Sequence, residues 1–162
     1  MVFDRLQSGV GGLGKPEWRK MLQGVAGLHE RSVLPAVPPF PHDFEEIGPG
    51  YCYRPAFGHW DVIHQVIDTL PYEPDHARRQ IENNLAFLQP DGLLAGTIGI
   101  VNGVVKYGTN AGHPPAWPNA VDEYLAAGGD PDILDIALPA AERQIGWFER
   151  NRSVPGGGFY YS

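Results

Sequence analysis

A chain of 162 residues with 43% hydrophobic and 19% charged residues is long enough for one domain and too apolar for intrinsic disorder. Its net charge of −7, with no basic stripe, argues against nucleic acid as a partner, and no apolar run approaches the ~20 residues that span a bilayer. The single cysteine, Cys52, excludes an intrachain disulfide and any multi-cysteine metal site, and it fits a reducing compartment, so a cytoplasmic protein is expected. The N-terminal residues also lack the basic start and apolar stretch of a secretory signal.

In chain order, the periodicity predicts a first helix over 16–30. Trp18, Met21, Leu22, Val25 and Leu28 recur at helical spacing, and Pro16 suits the first turn. A proline-rich stretch, 35–41, follows, and Tyr51-Cys52-Tyr53 reads as a short strand. The second helix is expected over 60–70, with Ile63, Val66, Ile67 and Leu70 on its apolar face. Pro71 and Pro74 end it and open a third, over 74–89, with Ala77, Ile81, Leu85 and Leu88 on one face and Arg78, Arg79 and Glu82 on another. Pro90-Asp91-Gly92 stops that helix.

The period then becomes strand-like. Ile98 to Val101 and Val104-Val105 flank Asn102-Gly103, a strong short-range hairpin signal. A fourth helix over 116–127 ends at Gly128-Gly129. A fifth has Asp130 as N-cap and Pro131 in its first position, and runs through Leu134, Leu138, Ala141, Ile145 and Phe148 to about Arg150. Pro139 is expected to kink or divide it. Helix pairs separated by long excursions, 35–59 and 93–115, suggest antiparallel helical hairpins whose excursions line one cleft.

Sugars are held by aromatic faces that stack on C–H surfaces and by polar groups that fix the hydroxyls. Tyr51, Tyr53, Arg54, Trp60, Asp61, His113 and Trp117 supply that mixture, all at the ends of the two excursions. Each also has a plainer explanation. Asp61 suits the positive end of its helix, Trp60 and Trp117 suit a hairpin core, and His113 suits a bond to a backbone carbonyl. Arg54 fits a solvated surface, and Tyr51 and Tyr53 fit a strand packed on helices. The spacing of His59, Asp61 and His64 matches no standard metal motif, and Gly156-Gly157-Gly158 matches no phosphate loop. Hydrolysis of a glycosidic bond needs two carboxyl groups flanking the sugar, and no such pair stands out in the sequence.

Phe57-Gly58-His59-Trp60-Asp61 resembles the aromatic-Trp-Asp signature that opens an inner helix in trehalases. Asp91-Gly92-Leu93-Leu94, followed by a hairpin and Gly112-His113-Pro114-Pro115, resembles a strand pair leading to a Ser-Gln-Pro-Pro or Ser-His-Pro-Pro turn. Residues 40–162 thereby resemble the N-terminal part of an (α/α)6-barrel glycoside hydrolase of the mannosylglycerate hydrolase-like, trehalase and processing α-glucosidase clan. The resemblance implies an all-α fold, an incomplete (α/α)6 toroid of helical hairpins with a small β-hairpin, in a chain that is truncated. It implies that Trp60 and Asp61 contact sugar and that His113 and Trp117 line the same pocket; Tyr53 and Arg54 join the candidate substrate-binding set from their residue types and their place at the end of the first excursion. Arg54 is out of register with the family arginine, Gly112 replaces the family serine, and His113 stands where trehalases have glutamine.

The implied activity is hydrolysis of an α-glycosidic bond by inversion, without metal or organic cofactor. The resemblance puts the general acid and base beyond residue 162, so no catalytic residue is assigned and this chain alone is expected to be inactive. Apolar inner faces left open by such a fragment are expected to drive self-association. Two alternatives stay open: a sugar isomerase or epimerase that uses His59, His64 and His113, and a non-catalytic carbohydrate-binding module.

Overall fold

The computed structural model describes residues 3–47, 55–107 and 114–159. Helix α1 (Asp4–Gly9) leads through 3-10 turns at Val10–Gly12 and Pro16–Trp18 into α2 (Arg19–Ser32). Strands β1 (Val33–Leu34), β2 (Phe44–Glu45) and β3 (Ala56–Gly58) precede α3 (His59–Thr69) and α4 (Pro74–Leu85). The hairpin β4 (Thr97–Val101) and β5 (Val104–Tyr107) comes next, then α5 (Trp117–Ala126), a 3-10 turn at Pro131–Ile133 and α6 (Leu134–Arg152).

The all-α expectation is corrected. Of the described residues 56% are helical, and they carry two small antiparallel sheets, so the class is mixed, and the helices do not by themselves show a toroid. β1 pairs with β2, joining Val33 to Glu45 and Leu34 to Phe44. β3 pairs with β4, joining Ala56 to Gly99, Phe57 to Ile98 and Gly58 to Thr97, and so adds a third strand to the foreseen hairpin. Strands of two or three residues are too short to show an alternation. Their ladders close between segments distant in sequence, so they leave no local signal.

Locally specified features are present. Asn102 and Gly103 both take positive φ, 53° and 71°, as a two-residue type I′ turn requires. The Asp130 carboxylate accepts the Asp132 backbone N–H at 3.1 Å, with Pro131 next in the chain, but this cap opens the 3-10 turn that precedes α6. Pro139 does not divide α6. It stands in the second turn, so only one ladder bond is lost near an end where the first N–H groups are unpaired anyway. α1 was not foreseen, because a six-residue helix followed by Gly9, Gly11 and Gly12 carries little periodic signal.

The main core lies among α3, α4, α5, α6 and the face of β3 and β4, and includes Val62, Val66, Ile81, Leu94, Ile98 and Ala137. Four phenylalanines pin the proline-rich segment to it. Phe40 stacks on Phe44 with centroids 4.1 Å apart and meets Phe57 and Phe87 edge-on at 5.0 and 4.6 Å. Each such pair is worth ~0.5–1.5 kcal/mol beyond the area it buries. A smaller cluster of Phe3, Leu6, Val10 and Ala26 seats α1 on α2. The apolar stripe of α2 departs from expectation. Trp18, Met21, Val25 and Leu28 are 44–60% exposed, while the helix buries Ala26, His29 and Ser32.

Candidate functional site

The turn from β3 into α3 places Trp60 and Asp61. Phe57 is fully buried and fixes the strand, and Gly58 continues extended at φ −116° to become the N-cap of α3. A Cβ on Gly58 would sit 2.7 Å from Ile47 Cδ1 and 3.0 Å from Asp61 Oδ2, so glycine lets the carboxylate fold back over the strand end. Asp61 lies in the first turn of α3, where a negative charge complements the helix dipole. Trp60 is 41% exposed, comparable with Trp18 at 45%. His64, one turn on, brings its ring centroid to 6.0 Å from that of Trp60. Asp61 and His64 are exposed too, so the start of α3 presents an indole, a carboxylate and an imidazole together.

The second tryptophan is different. Trp117, at the start of α5, is 2% exposed, and its indole N–H donates to Gln144 Oε1 of α6 at 2.7 Å. It staples two helices and presents no indole face at the surface, which corrects its expected place in a sugar pocket. Tyr51, Tyr53, Arg54, Gly112 and His113 lie outside the described residues, as does the side chain of His59. Trp60 and Asp61 are therefore the members of the expected set that the structure brings together on an open surface.

Two polar assemblies join residues from separate parts of the chain. The first is buried. Glu45 on β2, 1% exposed, receives His29 Nδ1 from α2 at 2.6 Å on one oxygen and His76 Nε2 from α4 at 2.9 Å on the other. Its backbone N–H donates to Gln80 Oε1 at 3.0 Å, and Phe3 covers His76 edge-on at 4.7 Å. Burial alone would lower the His29 pKa, but the hydrogen bond and charge of Glu45, aided by Asp68, hold it above its ordinary value. Burial alone would raise the Glu45 carboxyl, and the two imidazoles outweigh that and hold it below the ordinary carboxylate range. This cluster ties α2, β2 and α4 together. Among the described residues no group of three or more His, Cys, Asp or Glu is arranged to hold a metal ion.

The second assembly lines a cleft of about 700 Å³ bounded by Pro41, His42, α4 and the first half of α6. Arg78 bonds Glu82 at 2.8 Å and also reaches Asp132, while His42 bonds the other oxygen of Glu82. Asp132 and then Glu82 hold the Arg78 guanidinium above its ordinary pKa, and Arg78 holds Asp132 below the ordinary carboxylate range. The partners stand at positions 42, 78, 82 and 132, and only the Arg78–Glu82 spacing of one helical turn was legible beforehand.

Among the described residues no helix is long and apolar enough to cross a membrane. No family model, no curated protein and no solved structure matches this chain.

Proposed function

We propose that the chain recognises carbohydrate at the start of α3, as the sugar-holding part of a hydrolase acting on an α-glycosidic bond. The observation that carries this reading is the half-exposed indole of Trp60 beside the exposed carboxylate of Asp61 on one helical turn. An indole face stacks on the C–H face of a pyranose, and a carboxylate accepts hydrogen bonds from neighbouring hydroxyls. Asp61 and Trp60 bind and orient in this reading, and bond cleavage is not assigned to them. A cytoplasmic setting belongs to the same proposal and is supported by the lone Cys52.

The test is calorimetric or ligand-observed NMR titration of the 162-residue chain with α-linked glucosides and mannosides. Saturable binding is expected. Trp60→Ala should weaken it about 2- to 12-fold, the equivalent of one aromatic contact of ~0.5–1.5 kcal/mol. Asp61→Asn should weaken it about tenfold through loss of charge-assisted hydrogen bonds. Absence of saturable binding across the series, or binding indifferent to both substitutions, would remove the carbohydrate reading.

A further inference from the structure

α2 and α6 each turn an apolar stripe to solvent. On α2, Met21, Val25 and Leu28 follow i, i+4, i+7 spacing and are 60%, 44% and 47% exposed. On α6, Leu138 and Ile145 are seven residues apart on one face and are 58% and 56% exposed. From Met21 to Leu28 and from Leu138 to Ile145 the rise is the same, ~10.5 Å along each axis. Small residues accompany both stripes. Gly24 lies beside Val25 with nothing within 4 Å of where a Cβ would stand, and Ala141 lies between Leu138 and Ile145. Ala141 is half-buried against the core, and with Leu138 it borders a shallow pocket shared with α5.

The flanks of the two stripes carry opposite charge. Lys20 and Arg31 border that of α2, with Glu17 one turn before Met21, and Asp135, Glu142 and Glu149 border that of α6. The five bordering charges are exposed, and among the described residues none has an ion-pair partner. A surface left for water alone favours scattered apolar residues, whereas these recur on one face of each helix over the same length and are bordered by complementary charge.

We propose that the α2 stripe of one molecule docks on the α6 stripe of a second copy of the same chain. The contact joins two different surfaces. It therefore either occurs twice across a two-fold axis or repeats from molecule to molecule. The inference does not depend on the carbohydrate reading, since it uses none of the residues at the start of α3.

Sedimentation equilibrium and light scattering over a concentration series test it, with circular dichroism melts showing that each variant is folded. The wild type is expected to exceed its monomer mass of 17.8 kDa as concentration rises. Leu138→Lys should return it to monomer. The double variants Lys20→Glu/Arg31→Glu and Glu142→Lys/Glu149→Lys should each raise the dissociation constant by about tenfold or more, because each then carries two stripes of like charge. Mixing these two variants in equal amounts should restore association, since the acidic α2 of one then meets the basic α6 of the other. A wild type that stays at monomer mass throughout overturns the proposal. So does association indifferent to these substitutions, or a mixture that associates no better than its components.

Discussion

Glu45→Gln removes the charge at the centre of the buried His29–Glu45–His76 cluster while keeping the shape of the side chain. Removing one member of a buried ion pair costs about 3–5 kcal/mol, and because glutamine retains an acceptor for one ring, a loss of about 3 kcal/mol is expected. That is a large fraction of a typical domain's ~5–15 kcal/mol. The pH dependence is more diagnostic than the loss itself. In the wild type the folded His29 pKa lies above its ordinary 6.5, so its stabilisation is full below that value and is lost as pH rises through the folded pKa. The folded Glu45 pKa lies below its ordinary 4.5, so its stabilisation is present above that value and is lost as pH falls through the folded pKa. Together they place the wild-type optimum for this cluster between the two ordinary values. In the variant the anion is gone and burial dominates His29, whose folded pKa then drops below its ordinary value. The slope therefore reverses above pH 5, with wild-type stability falling as pH rises toward 8 and variant stability rising. Urea unfolding at several pH values, analysed by linear extrapolation, measures both slopes. Slopes of the same sign in the two proteins would refute the coupling of His29 to Glu45.

Gly92 has φ +96°, and a Cβ there would lie 2.1 Å from the carbonyl oxygen of Arg143. Gly92→Ala should cost about 2–4 kcal/mol, combining backbone strain with a clash against main chain, and a fall in the urea midpoint at unchanged m-value reads it. Trp117→Phe strips the donor from Gln144, which is 4% exposed, and leaves unfilled volume between α5 and α6, so about 2–3 kcal/mol should be lost in thermal unfolding while sugar binding is unchanged. Arg78→Ala breaks two ion pairs at the rim of the cleft, where solvent screens them, and should cost only about 1–2 kcal/mol, diminishing as salt is added.

The sequence was most informative where a residue acts on its own backbone or its immediate neighbours. The Asn102-Gly103 turn was legible because few residue pairs accept positive φ twice in succession. α3, α4 and α5 were legible from their spacing and from Pro71, Pro74 and Gly128, although α4 ends at Leu85, four residues before the expected stop. Phe87 accounts for the early end, since its ring leaves the helical path to pack fully buried against Phe40. The carboxylate of Glu45 gave no sign of its two imidazoles. Its partners stand 16 and 31 residues away, and no local spacing encodes such a meeting.

Periodicity on α2 showed that an apolar stripe exists and was silent on which way it faces. Packing of α1 and the pull of Glu45 on His29 turned the helix so that Met21, Val25 and Leu28 meet water. Trp60 and Trp117 make the same point for the candidate site. Both stand at the mouth of a helix, Trp60 between His59 and Asp61 and Trp117 between Ala116 and Pro118, and neither context states how deeply the indole is buried. Gln144, 27 positions from Trp117, captures one indole in the interior, while the other is left 41% exposed beside Asp61. Local sequence chose the helices and turns because those depend on bonds within a few residues. Only the closed tertiary structure chose inside from outside, because burial is set by contacts between segments far apart in the chain.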